Sequence, residues 1–134
     1  MSGTILVNSE CVFAPDLKTE GFWYPELGKI ARGTTYSGRC RVPVHMDARE
    51  GSLTVLGMAE LRLTLPSGKA VCIVIPLNEV HSTDRGTLRV GGTLRINRNL
   101  SILCEGRSKK SRQEETWNFI LDTIVLYRPS RSSC

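Results

Sequence analysis

Polar and apolar residues alternate along several segments of strand length, and this period constrains the fold more than any other feature. The clearest case is Ser52–Leu65, where Leu61, Leu63 and Leu65 share one face and the polar side chains between them share the other. Alternation with period two is typical of a β-strand with one buried face. From Thr34 onward the chain is predicted to be β throughout, and the whole chain is expected to contain six to eight strands with turns at roughly hairpin spacing. We therefore predict an all-β fold, a small antiparallel barrel or sandwich.

The chain of 134 residues is predicted to form a single β-rich domain. Its β core is expected at residues 34–127, after an N-terminal arm at 1–33 and before a basic tail at 128–134. The arm contains the one segment with helical signals, since Pro25 suits the first position of a short helix and Gly33 suits its end.

Several segments of the core carry more specific predictions. Thr4–Val7 is expected to be an edge strand. Ala70–Leu77 is apolar on both faces, which favours a central strand covered on both sides. Asn78–Gly86 is predicted to be a loop. The paired Gly91-Gly92 is predicted to mark a turn, a bulge or a sharp bend within the strand Thr87–Ile96.

The longest hairpin is predicted between Leu100 and Tyr127. A short apolar strand, Leu100–Cys104, is followed by a charged loop, Glu105–Glu115, and by a second strand that ends at Tyr127. Strict alternation places five residues of the second strand on one buried face: Trp117, Phe119, Leu121, Val125 and Tyr127.

The cysteine pattern favours free thiols. The five cysteines are odd in number and widely spaced, and they are Cys11, Cys40, Cys72, Cys104 and Cys134. Three of them (Cys40, Cys72 and Cys104) lie in predicted strands, where a free cysteine behaves as a small buried hydrophobe. We therefore expect no disulfide framework and a reducing compartment.

No apolar run approaches the roughly 20 residues that a membrane helix needs. The first 15 residues lack both a cationic start and a long apolar segment, so they do not read as a signal peptide. The expected location is intracellular, in the cytoplasm or, for a viral protein, in the host cytoplasm or the virion.

The net positive charge is confined to one part of the chain. Residues 1–80 contain eight basic and eight acidic residues, whereas residues 81–134 contain ten basic and five acidic ones, which accounts for the whole net charge of +5. Such asymmetry favours a polyanionic partner, either nucleic acid or an anionic membrane surface. A solvated basic face that only aids solubility is the alternative.

Signals for catalysis are weak. The only histidines are His45 and His81, and the sequence contains no P-loop, no G-x-G-x-x-G, and no CxxC or HxxxH spacing. The carboxylate pair Glu114-Glu115 lies beside basic residues and is expected to balance them. We predict a protein that is not an enzyme and that has neither a cofactor nor a metal site.

The strongest binding signal is the basic tip of the long hairpin, which would contact phosphates without reading base sequence. The adjacent aromatics Phe22, Trp23 and Tyr24 cannot all face one core, so at least one is expected to be exposed for a ligand or a partner. The predicted nucleic-acid contacts are Arg107, Lys109, Lys110 and Arg112, with Arg89, Arg95 and Trp23 as secondary contacts.

From Leu53 onward the layout resembles an OB-fold single-strand-binding domain. The matching segments are GSLTVLGMAELRLTL, KAVCIVIPL, GTLRVGGTLRI and a closing strand after a basic loop. The resemblance implies a barrel that binds single strands through a basic groove and stacked aromatics.

The stretch Gly38–Tyr127 also resembles the C-terminal part of rhabdovirus-type matrix proteins, through scattered positions such as Pro43, Lys109-Lys110 and Trp117. That resemblance implies a self-associating structural protein that bridges a nucleocapsid and a membrane. The leading hypothesis is nevertheless a non-enzymatic module for nucleic acid, and a protein–protein adaptor is a third alternative. Homo-oligomerisation is expected because edge strands need covering.

Overall fold

The computed structural model describes residues 4–16, 34–49, 52–64, 68–84, 87–98, 100–110 and 117–127. The predicted short helix from Pro25 to Gly33, the Phe22–Tyr24 aromatics and the basic tail lie outside the described residues.

The described residues are almost entirely β-strand and contain no helix, which confirms the predicted all-β class. It follows that this part of the chain has no helix that could span a membrane. The ten strands are β1 (Ile5–Val7), β2 (Cys11–Pro15), β3 (Thr34–Arg41), β4 (Val44–Arg49), β5 (Ser52–Thr64), β6 (Ala70–Pro76), β7 (Glu79–Asp84), β8 (Thr87–Asn97), β9 (Leu100–Lys110) and β10 (Trp117–Tyr127).

All strand pairs are antiparallel and belong to one curled sheet in the form of a half-barrel. The strand order is β4-β5-β1-β2-β3-β10-β9-β8-β7, and β6 pairs with β5 outside this path. The core lies inside the curl. Its largest fully buried side chains come from both halves of the sheet and include Phe13, Leu61, Ile75, Ile102 and Phe119.

The alternation in β5 is confirmed, since Leu61 and Leu63 are buried while Glu60, Arg62 and Thr64 are exposed. Each inward side chain of such a strand adds to the core, and each outward one stays in water. The neighbouring position, Leu65, lies outside the described residues.

The strict alternation predicted for β10 is wrong beyond Leu121. The pairing of β10 with both β9 and β3 shifts register between Leu121 and Thr123, which marks a β-bulge. The extra residue reverses the faces that follow. Ile124 and Leu126 are therefore buried, whereas Val125 and Tyr127 are only partly buried.

Three other predictions about strands are wrong, because the position of each strand depends on pairing with strands that are distant in sequence. The strand at Thr4–Val7 is not an edge, since β1 lies between β2 and β5. In the described part of the chain β6 pairs with β5 alone, and its outward residues Cys72 and Val74 are exposed, so it is not covered on both sides. Most of Asn78–Gly86 is strand β7, whose polar sequence becomes a strand through pairing with β8.

The Gly91-Gly92 pair lies inside β8 without a turn or a shift in register, since Gly91 pairs with Glu105 and Gly92 with Cys104. The prediction of a turn or a bulge at this pair is therefore wrong, whereas the predicted bend stays a prediction. The backbone of Pro76 passes so close that a Cβ atom on Gly92 would lie 2.8 Å from its carbonyl carbon. Glycine is needed here because a second backbone approaches the strand.

Cys11 and Cys40 form a disulfide, so the prediction that all cysteines are free is wrong. Ala14 pairs with Ser37 and Pro15 with Tyr36, and this register extended along β2 and β3 brings Cys11 opposite Cys40. Their Cα atoms are 5.5 Å apart, within the range that a disulfide can bridge.

The other two described cysteines are free, but their environments differ. Cys104 is fully buried, as predicted, and burial raises the pKa of its thiol to about 12. Cys72 is exposed, contrary to the prediction, because it occupies an outward position of β6.

Candidate nucleic-acid interface

The predicted long hairpin is present, but its strands are longer than expected. β9 extends to Lys110 and β10 begins at Trp117, so Arg107, Lys109 and Lys110 belong to a paired strand and not to a loop. The alternation of β9 continues through this region, since Gly106 and Ser108 are buried on the core side of the sheet. The connection between the strands is reduced to residues 111–116.

Strand pairing brings three arginines into one row across the outer side of the sheet. Arg89 on β8 pairs with Arg107 on β9, Arg107 pairs with Ile120 on β10, and Ile120 pairs with Arg41 on β3. Neighbouring strands are about 4.8 Å apart, so the row spans about 14 Å. We refer to Arg41, Arg89 and Arg107 as the arginine row.

The strands present these arginines to solvent because their alternate neighbours are buried. Arg107 is exposed between buried Gly106 and Ser108, and Arg41 is exposed beside buried Cys40. Arg89 is partly buried. Three guanidinium groups on one face provide planar donors that suit the oxygens of phosphates or carboxylates.

One arginine of the row already has an acidic partner. Arg89 Nη2 lies 3.7 Å from Glu105 Oε2, and both side chains are partly exposed. A second carboxylate on these strands, Asp122, accepts a hydrogen bond of 2.9 Å from the Thr123 hydroxyl. The arginine row is cationic. Glu105 offsets part of its positive charge and competes with an external anion for Arg89.

The two lysines follow Arg107 on β9. Lys109 lies two positions beyond Arg107, about 7 Å along the strand, and pairs with Thr87 and Asn118. Lys110 follows it and pairs with Trp117. The backbone therefore places three of the four primary predicted contacts on a single strand.

The remaining predicted contacts do not join the row in the described structure. Arg95 lies on β8 six residues from Arg89, about 20 Å along the strand, and its Nε donates to the Asn97 carbonyl at 3.4 Å. Arg112 and Trp23 lie outside the described residues.

Arg41 is the residue that the sequence-based prediction of the site missed. Alternation around Cys40 places Arg39 and Arg41 on an outward face, and both are exposed. Their sequence distance from β8 and β9 hides the relation, because β3 reaches those strands only through β10. A predicted pairing of β3 with β10 would have been the signal needed to find it.

Other chemistry has little support in the described residues. His45 is exposed, and no group of three or more His, Cys, Asp or Glu residues in this part of the chain is arranged to hold a metal ion.

Comparison with known proteins adds no relative. No protein-family description, no curated protein and no solved structure matches this chain.

Proposed function

We propose that this protein is a non-enzymatic binding module that contacts nucleic acid, largely through phosphates. The observation that supports it is the arginine row, in which the strand register aligns Arg41, Arg89 and Arg107 on one outer face, with Ile120 between Arg41 and Arg107. Cations clustered on one face are the electrostatic footprint of a polyanion-binding surface.

The width of the arginine row suits contacts to the phosphates of a nucleic-acid backbone. A row about 14 Å wide across four strands has room for two or three phosphates. Lys109 lies two positions beyond Arg107 on β9, where a strand returns to the same face. Phosphate contacts of this kind position a nucleic acid but carry no base specificity.

The preference for single strands rests on the resemblance to OB-fold domains, in which a sheet face binds an unpaired chain. Competition between single-stranded and duplex oligonucleotides of equal length tests this part of the proposal. We expect the single strand to displace the duplex, and the reverse order would contradict the preference while leaving phosphate binding intact.

The direct test replaces one arginine of the row and one basic residue outside it. Arg107→Ala should weaken binding of a fluorescent single-stranded oligonucleotide about five-fold, because a lost phosphate contact is worth roughly 1 kcal/mol. It should also reduce the slope of log affinity against log salt by about 0.7, the share of one phosphate on a single strand. Lys69→Ala is the control, since it removes one exposed positive charge beside β6, which pairs with β5 and not with a strand of the row.

Glu105 provides a variant with the opposite expected sign. Glu105→Gln removes a carboxylate that lies 3.7 Å from Arg89 and leaves a side chain of similar size. Arg89 is then released for an external phosphate, and oligonucleotide affinity should rise. If Arg107→Ala and Lys69→Ala behave alike and Glu105→Gln has no effect, the row is only a solvated basic face.

A further inference from the structure

The outer side of β5 and β6 exposes large apolar side chains. The exposed fractions of Leu56, Met58 and Val74 are 59%, 66% and 48%. An outward face of an antiparallel sheet is normally polar when it stays in water. Contiguous exposed apolar residues usually mark a surface that another molecule covers.

The strand register makes these side chains neighbours. Met58 pairs with Pro76, and Val74 occupies the adjacent outward position on β6, where it pairs with Glu60. Leu56 continues the series on β5. We refer to Leu56, Met58, Val74 and Pro76 as the apolar strip.

The sequence of β6 also indicates that the apolar strip is covered by another molecule. Its segment is apolar on both faces, which is typical of a strand that is covered on both sides. Ile73 and Ile75 face the core, but Cys72 and Val74 on the other face are exposed. Within the described part of the chain, only one of the two apolar faces is covered.

Two opposite charges border the strip at successive outward positions of β5. Glu60 pairs with Val74, and Arg62 pairs with Cys72. Both charged side chains are exposed, and neither forms an ion pair with another described residue. An acid and a base two residues apart on one strand form a surface that complements itself when a second copy is turned through 180°.

We propose that a second copy of this chain docks on this face, with the outer sides of β5 and β6 packed together across a two-fold axis. The axis lies between the two sheets and passes over β5 at the level of Leu61, so Glu60 of each subunit meets Arg62 of the partner subunit, and Met58 of each meets Thr64 of the partner subunit. The same rotation sets Cys72 against Val74 of the partner subunit, and packed sheets lie about 10 Å apart. An isologous contact of this kind makes every pair twice and closes at a dimer.

The choice of a second copy follows from the charges. An unrelated partner would need its own matching acid and base, whereas this face already presents both at the spacing that a two-fold rotation exchanges. The contact involves neither Arg41, Arg89 nor Arg107, so it does not rest on the proposed binding of nucleic acid.

The test measures the oligomeric state of the full chain by sedimentation velocity over a range of concentrations, without nucleic acid. We expect a reversible dimer. Glu60→Arg should raise its dissociation constant at least ten-fold, because each interface then opposes two pairs of like charges. The double variant Glu60→Arg with Arg62→Glu should restore most of the affinity, since the pairs return with exchanged signs.

Two further variants locate the contact. Met58→Lys should also produce monomers, and it should leave the fold intact because the Met58 side chain is mostly exposed in the single subunit. Arg95→Glu is the control, since it makes the same charge change as Arg62→Glu on a different strand and should leave the dimer unaffected.

Each result is decisive for this inference. A monomer at every concentration would overturn the dimer itself. A dimer that survives Met58→Lys and Glu60→Arg would overturn the choice of face. A double variant that stays as weak as its parents would overturn the pairing of Glu60 with Arg62.

Discussion

Removing the disulfide should lower the free energy of unfolding by an amount that follows from the length of the loop it closes. Cys11 and Cys40 are separated by 29 residues, so their bond restricts a loop of that length in the unfolded chain. The loop-entropy relation gives about 3.6 kcal/mol at 25 °C for such a loop. A domain of this length has an unfolding entropy of about 280 cal/mol/K, so the double variant Cys11→Ala with Cys40→Ala should melt about 13 °C lower.

Calorimetry of four samples tests this value. The oxidised protein and the double alanine variant are each scanned with and without a dithiol reductant. Reductant should lower the Tm of the natural chain toward that of the variant and should leave the variant unchanged. Cys72→Ser is the control for cysteine replacement and should shift the Tm little, since Cys72 is free and exposed. A natural chain whose Tm falls by less than about 3 °C on full reduction would refute the reasoning.

Three further predictions concern the core. Ile124→Ala should destabilise the fold by about 2–5 kcal/mol and Val125→Ala by roughly 1 kcal/mol, measured by urea unfolding, and equal losses would argue against the bulge. Gly92→Ala should cost about 1–3 kcal/mol because its Cβ meets the Pro76 backbone, and a neutral result would contradict that close approach. The raised pKa of Cys104 favours the folded state below pH 9, and this contribution is lost between pH 9 and about 12 as the unfolded thiol ionises first. The corresponding fall in unfolding free energy should be absent from Cys104→Ala, and an identical fall in both proteins would contradict it.

Local pattern was sufficient for the fold class. Alternation in β5 identified Leu61 and Leu63 as core residues, and the hairpin of β9 and β10 followed from two apolar segments around a charged one. Local pattern could not reveal the bulge after Leu121, because one extra residue changes the face of every later side chain without changing its composition. Strand β7 was missed for a related reason, since its polar sequence depends on pairing with β8.

Features that join distant segments could not be predicted from the local sequence pattern. The Cys11–Cys40 bond depends on β2 and β3 pairing across 29 residues of chain. The arginine row was predicted in part, because Arg89 and Arg107 were both named while Arg41 was left out. Arg41 can be assigned to the row only when the pairing of β3 with β10 is known.

The measurement that tests the central claim most directly is the salt dependence of oligonucleotide binding by the natural chain and by one triple variant. The variant carries Arg41→Ala, Arg89→Ala and Arg107→Ala, and its fold is checked by its melting curve. We predict that the natural chain binds a single-stranded oligonucleotide with affinity that falls steeply as salt rises. In the variant the slope of log affinity against log salt should be smaller by about 2, the share of three phosphates. A natural chain that shows no salt-sensitive binding, or a variant with an unchanged slope, would contradict the account.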